Sequence, residues 1–213
     1  MPFVRAERGH QNVPPARVHA KANAPQSGHY IGRLHFAIDG QSPDAAALFI
    51  VEHVLGRHPV ASRLGQRLRE AEGLTYGVRS SIRVARHDDA GRIAVEGTYP
   101  AGHGARLADI VKEEVARLAR QGMTDQELER ARRTILQERQ RALGQDVTVL
   151  SLLPAQLQDG LTMQEWVERN DAFAAVTLEQ VNAVAGRYLD AARLVEIYAD
   201  GSGPETVELN QAK

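Results

Sequence analysis

Apolar side chains at alternate positions open the patterned part of the chain. Between His29 and Ile38 they predict a β-strand, which Asp39-Gly40 ends with residues typical of turns. A helix follows, because Ser42 is a favourable N-cap and Pro43 suits the first helical position. The apolar face of this helix is predicted to carry Ala47, Ile50, Val51, Val54 and Leu55.

The stretch from Ser62 to Val84 combines a helix, a glycine and a strand in one unit, around which the rest of the chain is organised. Leu64 and Leu68, one helical turn apart, predict a short helix that ends before Gly73. The turn residues at 88–91 lead into a returning strand, so the two strands are predicted to form an antiparallel hairpin. The first of them is predicted to carry, on one face, Tyr76, Val78, Ser80, Ile82 and Val84.

Two side chains of this unit are candidates for a functional site. Arg69 falls in the last turn of the predicted helix and Tyr76 near the start of the strand. A sharp reversal at Gly73 would therefore bring both to one end of a sheet. From the residues alone, structural roles are the simpler interpretation: Arg69 would pair with Glu70 or Glu72 at little gain in stability, and Tyr76 would be an ordinary strand aromatic.

Helical periodicity dominates the second half of the chain. Capping-box sequences at Thr124–Glu127 and Thr177–Gln180 predict two helix starts, and the first opens the longest helix. Leu194–Ala199 is predicted as a closing strand. Strands followed by helices and a last strand favour an α+β fold, an antiparallel sheet with helices on one face. The other predicted helices run from Leu107 to near Gly122, from Val147 to Leu157 and from Met163 to Phe173.

Composition narrows the classes of function. With 213 residues, 43% of them hydrophobic, the chain can form one sizeable domain with its own core. The formal net charge is only −1 and the basic residues are interspersed with acidic ones, so nucleic acid is not an expected partner. The absence of cysteine excludes disulfides, thiol nucleophiles and cysteine-bound zinc.

We expect a soluble protein without a membrane span. No apolar run approaches the roughly 20 residues that a spanning helix needs, and the first residues lack the apolar stretch of a signal peptide. The sequence leaves the compartment open; for a bacterial protein it would be the cytoplasm or the periplasm. Residues 1–16 are expected to form a flexible segment or linker, residues 17–201 one domain, and residues 202–213 a tail.

Histidine spacing provides one candidate for a metal site. His53 and His58 are five positions apart and Glu52 is adjacent, but residues five apart lie on different faces of an α-helix and Pro59 is expected to end it. We therefore expect a partly exposed pair of helix-end histidines. Neither His-x-x-Glu-His, His-Glu-x-x-His nor a Gly-x-Ser-x-Gly elbow occurs. A self-sufficient metalloenzyme that uses His53 and His58 is kept as an alternative.

The segment SRLGQRLREAEGLTYGVRSS, from Ser62 to Ser81, resembles the signature of a known family. That family is the insulinase/pitrilysin type of zinc metallopeptidases, the inverzincins, and the resemblance is to its C-terminal-type, non-catalytic domain. It extends from about Arg17 to Gly201, and it implies the LuxS/insulinase-like metallopeptidase fold. Further matching segments are Pro43-Asp44, Val54-Leu55-Gly56, Gly97-Thr98, Gly122-Met123-Thr124 and Thr177 to Val181.

The resemblance implies a function shared between two homologous domains that enclose a chamber. The partner domain or subunit would hold the zinc ion and activate water, and this chain would bind no cofactor. Arg69 would hydrogen-bond a backbone carbonyl of the peptide substrate, and Tyr76 would act in trans by donating to the oxyanion. The chain would thus be the substrate-positioning half of a zinc endopeptidase, inactive in isolation.

The same family also includes non-hydrolytic subunits of larger assemblies, which shows that the fold alone does not determine the function. The alternative function is therefore that of a structural or peptide-binding subunit on the same fold. For partners, the resemblance implies the catalytic domain and a peptide, and a homodimer is a further option.

Overall fold

A six-stranded sheet forms one layer of the protein, in a computed structural model that describes residues 13–22, 26–75, 77–145, 150, 162–201 and 208–211. The strand order is β3-β4-β2-β5-β1-β6. Neighbouring strands are antiparallel, with the exception of β1 and β5, which run parallel. The strands are β1 (Ala16–Lys21), β2 (Ser27–Phe36), β3 (Val78–Val84), β4 (Gly91–Pro100), β5 (Val195–Asp200) and β6 (Glu208–Gln211).

The sheet is antiparallel as predicted, except where β1 pairs with β5. The parallel pair involves β1, a strand that the sequence pattern did not predict because its burial does not alternate cleanly along its six residues. The four-residue β6, which pairs with β1, lies within residues 202–213, which we expected to form a tail. The β3–β4 hairpin and the closing strand β5 are present as predicted.

Helices form the second layer. Two of them continue into π-helical segments: the first segment, His53–Arg57, follows α1, and the second segment, Gln66–Ala71, follows α2. Among the described helices, none combines the length and the apolar character that crossing a membrane requires. The predicted helix at 147–157 lies outside the described residues, except for Leu150. The helices are α1 (Ala45–Glu52), α2 (Arg63–Gly65), α3 (Gly104–Gln121), α4 (Asp125–Leu143), α5 (Met163–Ala175), α6 (Leu178–Tyr188) and a 3₁₀ turn (Ala191–Arg193).

The start of α1 differs from the prediction by two residues. Its N-cap is Asp44 rather than Ser42, because the Ser42 Oγ accepts a hydrogen bond from the Asp44 N–H at 3.3 Å and forms a turn before the helix. The Asp44 carboxylate does not cap the helix; it accepts from Tyr188 of α6 at 3.0 Å. The capping boxes at Thr124 and Thr177 are present as predicted.

The core lies between the helical layer and one face of the sheet. In β4, Ile93, Val95 and Tyr99 alternate on the buried face. The apolar stripe of α3 covers them, and its fully buried members are Leu107, Ala108, Ile110, Val111, Val115 and Leu118. The opposite face of the sheet exposes polar side chains, among them His29, Arg79, Arg83 and Thr98. This arrangement confirms the α+β class with helices on one face.

One buried carboxylate joins the sheet to α3. Glu196 of β5 is 3% exposed, and its Oε2 lies 2.6 Å from Lys112 Nζ and 3.1 Å from Arg17 Nη2. Its Oε1 accepts from the hydroxyls of Tyr30 and Tyr198, at 3.3 and 3.1 Å. Burial by itself would raise the pKa of Glu196, but the hydrogen bonds and charges of Lys112 and Arg17 outweigh it, so the pKa is lowered.

Candidate functional site

The chain reverses direction sharply between α2 and β3. The second π-helical segment ends at Ala71, and Gly73 then adopts a positive φ of 59°, a conformation that favours glycine. The Leu68 carbonyl accepts hydrogen bonds from the N–H groups of Leu74 and Thr75, at 2.9 and 3.3 Å. Both apolar side chains predicted for this helix, Leu64 and Leu68, are fully buried. The reversal that the sequence placed at Gly73 is therefore present and held by the backbone.

The start of α2 is fixed by the first residues of the signature segment. Ser62 is buried and its Oγ accepts from the Gly65 N–H at 3.1 Å while donating to the His58 carbonyl at 2.5 Å. Gly65 leaves room for the preceding loop, since a Cβ atom there would lie 2.2 Å from the Pro59 carbonyl oxygen. Serine and glycine at these positions therefore set the angle at which α2 leaves the loop.

Arg69 lies in the second π-helical segment, one turn before the reversal, and its side chain is exposed. The neighbouring charges connect the reversal to α3. Glu72 forms ion pairs with Arg106 at 2.7 Å and with Arg67 at 3.2 Å, and Arg67 also lies 3.3 Å from Glu113. Each of these partly exposed pairs adds little stability alone, but together they orient the end of the π-helical segment towards α3.

Tyr76 lies outside the described residues, so its predicted proximity to Arg69 stays a prediction. The residues on either side of it are held against β4. Thr75 is buried, and its Oγ1 accepts from the Gly77 N–H at 3.0 Å and lies 3.2 Å from the Thr98 hydroxyl. Gly77 accepts from the Thr98 N–H at 3.3 Å, and a Cβ atom at Gly77 would lie 2.9 Å from Thr98 Oγ1.

A second cluster forms where the first π-helical segment meets α4. The rings of His53 and His58 are in edge contact, with centroids 4.9 Å apart, and His58 Nε2 lies 3.2 Å from Glu138 Oε1. One ligand atom from each of these three residues lies within 4.8 Å of the others. Burial, together with the charges of His58 and Arg57, lowers the pKa of His53 to about 4.

The expectation that His53 and His58 lie apart is therefore wrong. In a π-helix the backbone hydrogen bonds join residues five positions apart, so such residues lie one above the other. The π-helical segment begins at His53, and His58 follows it in an extended conformation. His53 is also buried, at 8% exposure, rather than partly exposed. The five-residue spacing was the available signal, but it was interpreted with the period of an α-helix.

Glu52, the adjacent carboxylate, lies against β3. Its Oε1 accepts from the Ser80 hydroxyl at 2.5 Å, and its Oε2 lies 3.7 Å from Arg57 Nη1. Burial raises the pKa of Glu52, against the opposing effects of Ser80 and Arg57. Its hydrogen bond therefore ties the end of α1 to the sheet.

Comparison with known proteins connects this architecture to one family. The sequence profile of the family described as the peptidase M16 inactive domain matches residues 11–135. Over 85 residues, the chain is 34% identical to the uncharacterized zinc protease YmxG of Bacillus subtilis. That match covers 40% of this chain and 20% of YmxG, so the chain spans a small part of this curated relative.

Solved structures share the fold. A crystal structure of the peptidase M16 inactive domain from Pseudomonas fluorescens superposes with a TM-score of 0.80 at 21% identity, covering 97% of this chain and 48% of that one. An inactive peptidase domain from Bordetella parapertussis superposes with a TM-score of 0.69 at 20% identity, covering 83% of this chain and 93% of that one. The predicted resemblance is confirmed by the profile match, which spans more than half of the sequence: the chain belongs to the peptidase M16 inactive-domain family of insulinase-like zinc proteases.

Proposed function

We propose that this chain is the substrate-positioning half of a zinc-dependent peptidase and assists peptide-bond hydrolysis by a homologous catalytic domain or subunit. Membership of the inactive-domain family supports a role in which this chain positions the substrate and the partner carries out the hydrolysis. The observation that carries the proposal is the reversal at Gly73, which follows an exposed Arg69 by one turn and precedes Tyr76 by three positions in the sequence.

Arg69 and Tyr76 have distinct roles in this proposal. The planar guanidinium of Arg69 presents several N–H donors in a fixed geometry, which suits a backbone carbonyl of an extended peptide. The Tyr76 hydroxyl donates a hydrogen bond to the carbonyl oxygen of the scissile bond, where negative charge develops in the transition state. The zinc ion of the partner supplies an activated water.

The hydrogen bonds around the reversal support these roles. An oxyanion donor is effective only when its position is fixed before the reaction, because reorganisation would cost part of the stabilisation. Thr75 and Gly77, which flank Tyr76, are both bonded to Thr98 of β4. The carbonyl of Leu68, one residue before Arg69, accepts both backbone hydrogen bonds that close the reversal.

The test uses the assembled two-part peptidase. Tyr76→Phe is expected to lower kcat by about 100-fold or more, because one oxyanion donor is lost. Arg69→Lys is expected to raise KM while the assembly stays intact. Matched controls are Tyr188→Phe, on α6, and Arg120→Lys, at the exposed end of α3, which should leave both constants unchanged. Unchanged peptide hydrolysis by Tyr76→Phe would refute the proposed role. If this chain binds peptide but neither variant changes turnover, the alternative of a non-hydrolytic subunit is favoured.

A further inference from the structure

The cluster of His53, His58 and Glu138 is separate from the reversal that contains Arg69. It joins three parts of the chain: the start of the first π-helical segment, the loop residue that follows this segment, and the second-last turn of α4. Its ligand atoms converge within 4.8 Å, although the residues come from two elements separated by about 80 positions.

The hydrogen bonding of the two imidazoles is incomplete. His53 Nε2 is buried and makes no hydrogen bond within the described part of the chain. The buried His58 Nε2 lies 3.2 Å from Glu138 Oε1 but is not aligned for a hydrogen bond with it or with another described group. A buried polar atom without a partner costs free energy, and such atoms call for an explanation. Coordination of a metal ion would engage both nitrogens at once.

We propose that His53, His58 and Glu138 bind a zinc ion. Two imidazole nitrogens and one carboxylate oxygen form a set of ligands that is typical of zinc. With bonds of about 2.0–2.1 Å, two ligands of a tetrahedral zinc ion lie about 3.3 Å apart. The present limit of 4.8 Å therefore requires inward movements of at most about 1.5 Å, which rotations of the half-exposed His58 and Glu138 side chains can supply.

The location suits a fourth ligand from solvent. His53 and Glu138 line a cleft of about 680 Å³, and His53 and His58 line a second cleft of about 780 Å³. The cluster lies at the boundary of the two clefts, so water can complete the coordination. Arg57, whose charge acts on His53, lies 3.7 Å from the Glu52 carboxylate, which offsets part of that charge.

The consequence of zinc binding would be a cross-link between α4 and the end of α1. This revises the expectation that the chain binds no metal, and it is independent of the roles proposed for Arg69 and Tyr76. The ion would be distinct from the one expected in the catalytic partner. Because zinc binds the folded chain and not the dispersed ligands of the unfolded one, it should stabilise the fold.

The experiment measures zinc binding to the untagged chain after chelator treatment. Isothermal titration with Zn²⁺ should show one site with a dissociation constant in the micromolar range or below, and saturating zinc should raise Tm. His58→Gln and Glu138→Gln should each weaken binding by about 100-fold or more, since even residues behind the ligands contribute 10- to 100-fold. His53→Gln should do the same, with circular dichroism to verify folding at this buried position.

Matched controls separate the site from the surface. His103→Gln, at the exposed N-cap of α3, and Glu129→Gln, on α4, should bind zinc like the wild type. Arg69→Lys and Tyr76→Phe should also leave zinc binding unchanged. The zinc site can therefore be tested separately from the proposed function. Less than one bound ion per chain, or equal binding by His58→Gln and the wild type, would overturn the proposal.

Discussion

The guanidinium of Arg63 donates to both carboxylate oxygens of Glu127, at 2.7 and 2.8 Å. Arg63 also donates to the carbonyl of Gly122 at 2.8 Å, and Glu127 accepts from the Thr124 N–H. One ion pair thus joins the beginnings of α2 and α4 and the end of α3. Burial alone would raise the pKa of Glu127, but the bonds from Arg63 and Thr124 outweigh it and lower the pKa.

Removal of this ion pair is expected to destabilise the whole domain. The side chains of Arg63 and Glu127 are 15% and 30% exposed, so the pair is better shielded from water than a surface ion pair. We expect Arg63→Ala to lower the free energy of unfolding by about 2 kcal/mol, between the values for surface and buried pairs. Urea denaturation measures this change in the free energy of unfolding. Arg79→Ala, which removes an exposed pair with Glu96, is the control with a change below about 0.5 kcal/mol.

Stability should depend on the ionisation of Glu196. Its pKa is lower in the folded chain than the ordinary value of 4.5, so the folded state binds this proton more weakly than the unfolded state. The resulting stabilisation is complete above pH 4.5 and is lost as the pH falls through the lower folded value. Unfolding measured at several pH values should show this loss. It should be smaller in Glu196→Gln, and an identical acid dependence in the variant would contradict the assignment.

The stability cost of replacing Gly73 should depend on its backbone conformation and not on steric crowding. A Cβ atom at this position would meet nothing within 4 Å, so steric crowding is not the obstacle. The φ of 59° is the obstacle, and Gly73→Ala is expected to cost about 1–2 kcal/mol of stability. Gly73→Asn should cost less, since asparagine adopts this conformation more readily. Equal stability of the alanine variant and the wild type in urea denaturation would mean that the reversal is not fixed in this conformation.

The isolated chain should fold but should not cleave peptides. Its sequence contains neither the inverted zinc-peptidase motif His-x-x-Glu-His nor the motif His-Glu-x-x-His. The proposed reaction takes place on the catalytic partner. Added Zn²⁺ should leave this inactivity unchanged, because the His53–His58–Glu138 cluster is proposed to cross-link and not to catalyse. Peptide assays on rigorously purified chain, with and without the catalytic partner, provide the measurement. Zinc-dependent cleavage that disappears in His58→Gln would instead establish the self-sufficient metalloenzyme.

Local chemistry made much of the fold predictable. The Thr124–Glu127 box and the β3–β4 hairpin depend on interactions between residues close in sequence, and both occur as expected. The pairing of β1 with β5 could not be predicted in this way, because its partners are separated by about 180 positions and β1 has no clear alternation. The start of α1 was misplaced because the Ser42 hydroxyl accepts from the Asp44 N–H and forms a turn before the helix instead of capping it.

The candidate sites were predictable to different extents. Burial of Leu64 and Leu68 and the turn at Gly73 followed from periodicity, whereas the roles of Arg69 and Tyr76 came only from family resemblance. The His53–His58 contact was missed because a π-helical segment changes the angular spacing of side chains, and no pattern in five residues reports that change. Glu138 is remote in sequence and had no signal at all.

The parallel β1–β5 pair places the first described strand beside one that begins at Val195. During synthesis, the β2, β3 and β4 strands are available together before β5, but β1 has no partner strand until β5 has been made. The first of the described strands to emerge is thus among the last of them to be paired. Until then its unpaired edge needs protection from other nascent chains, so truncation before β5 should yield aggregation rather than a smaller soluble domain.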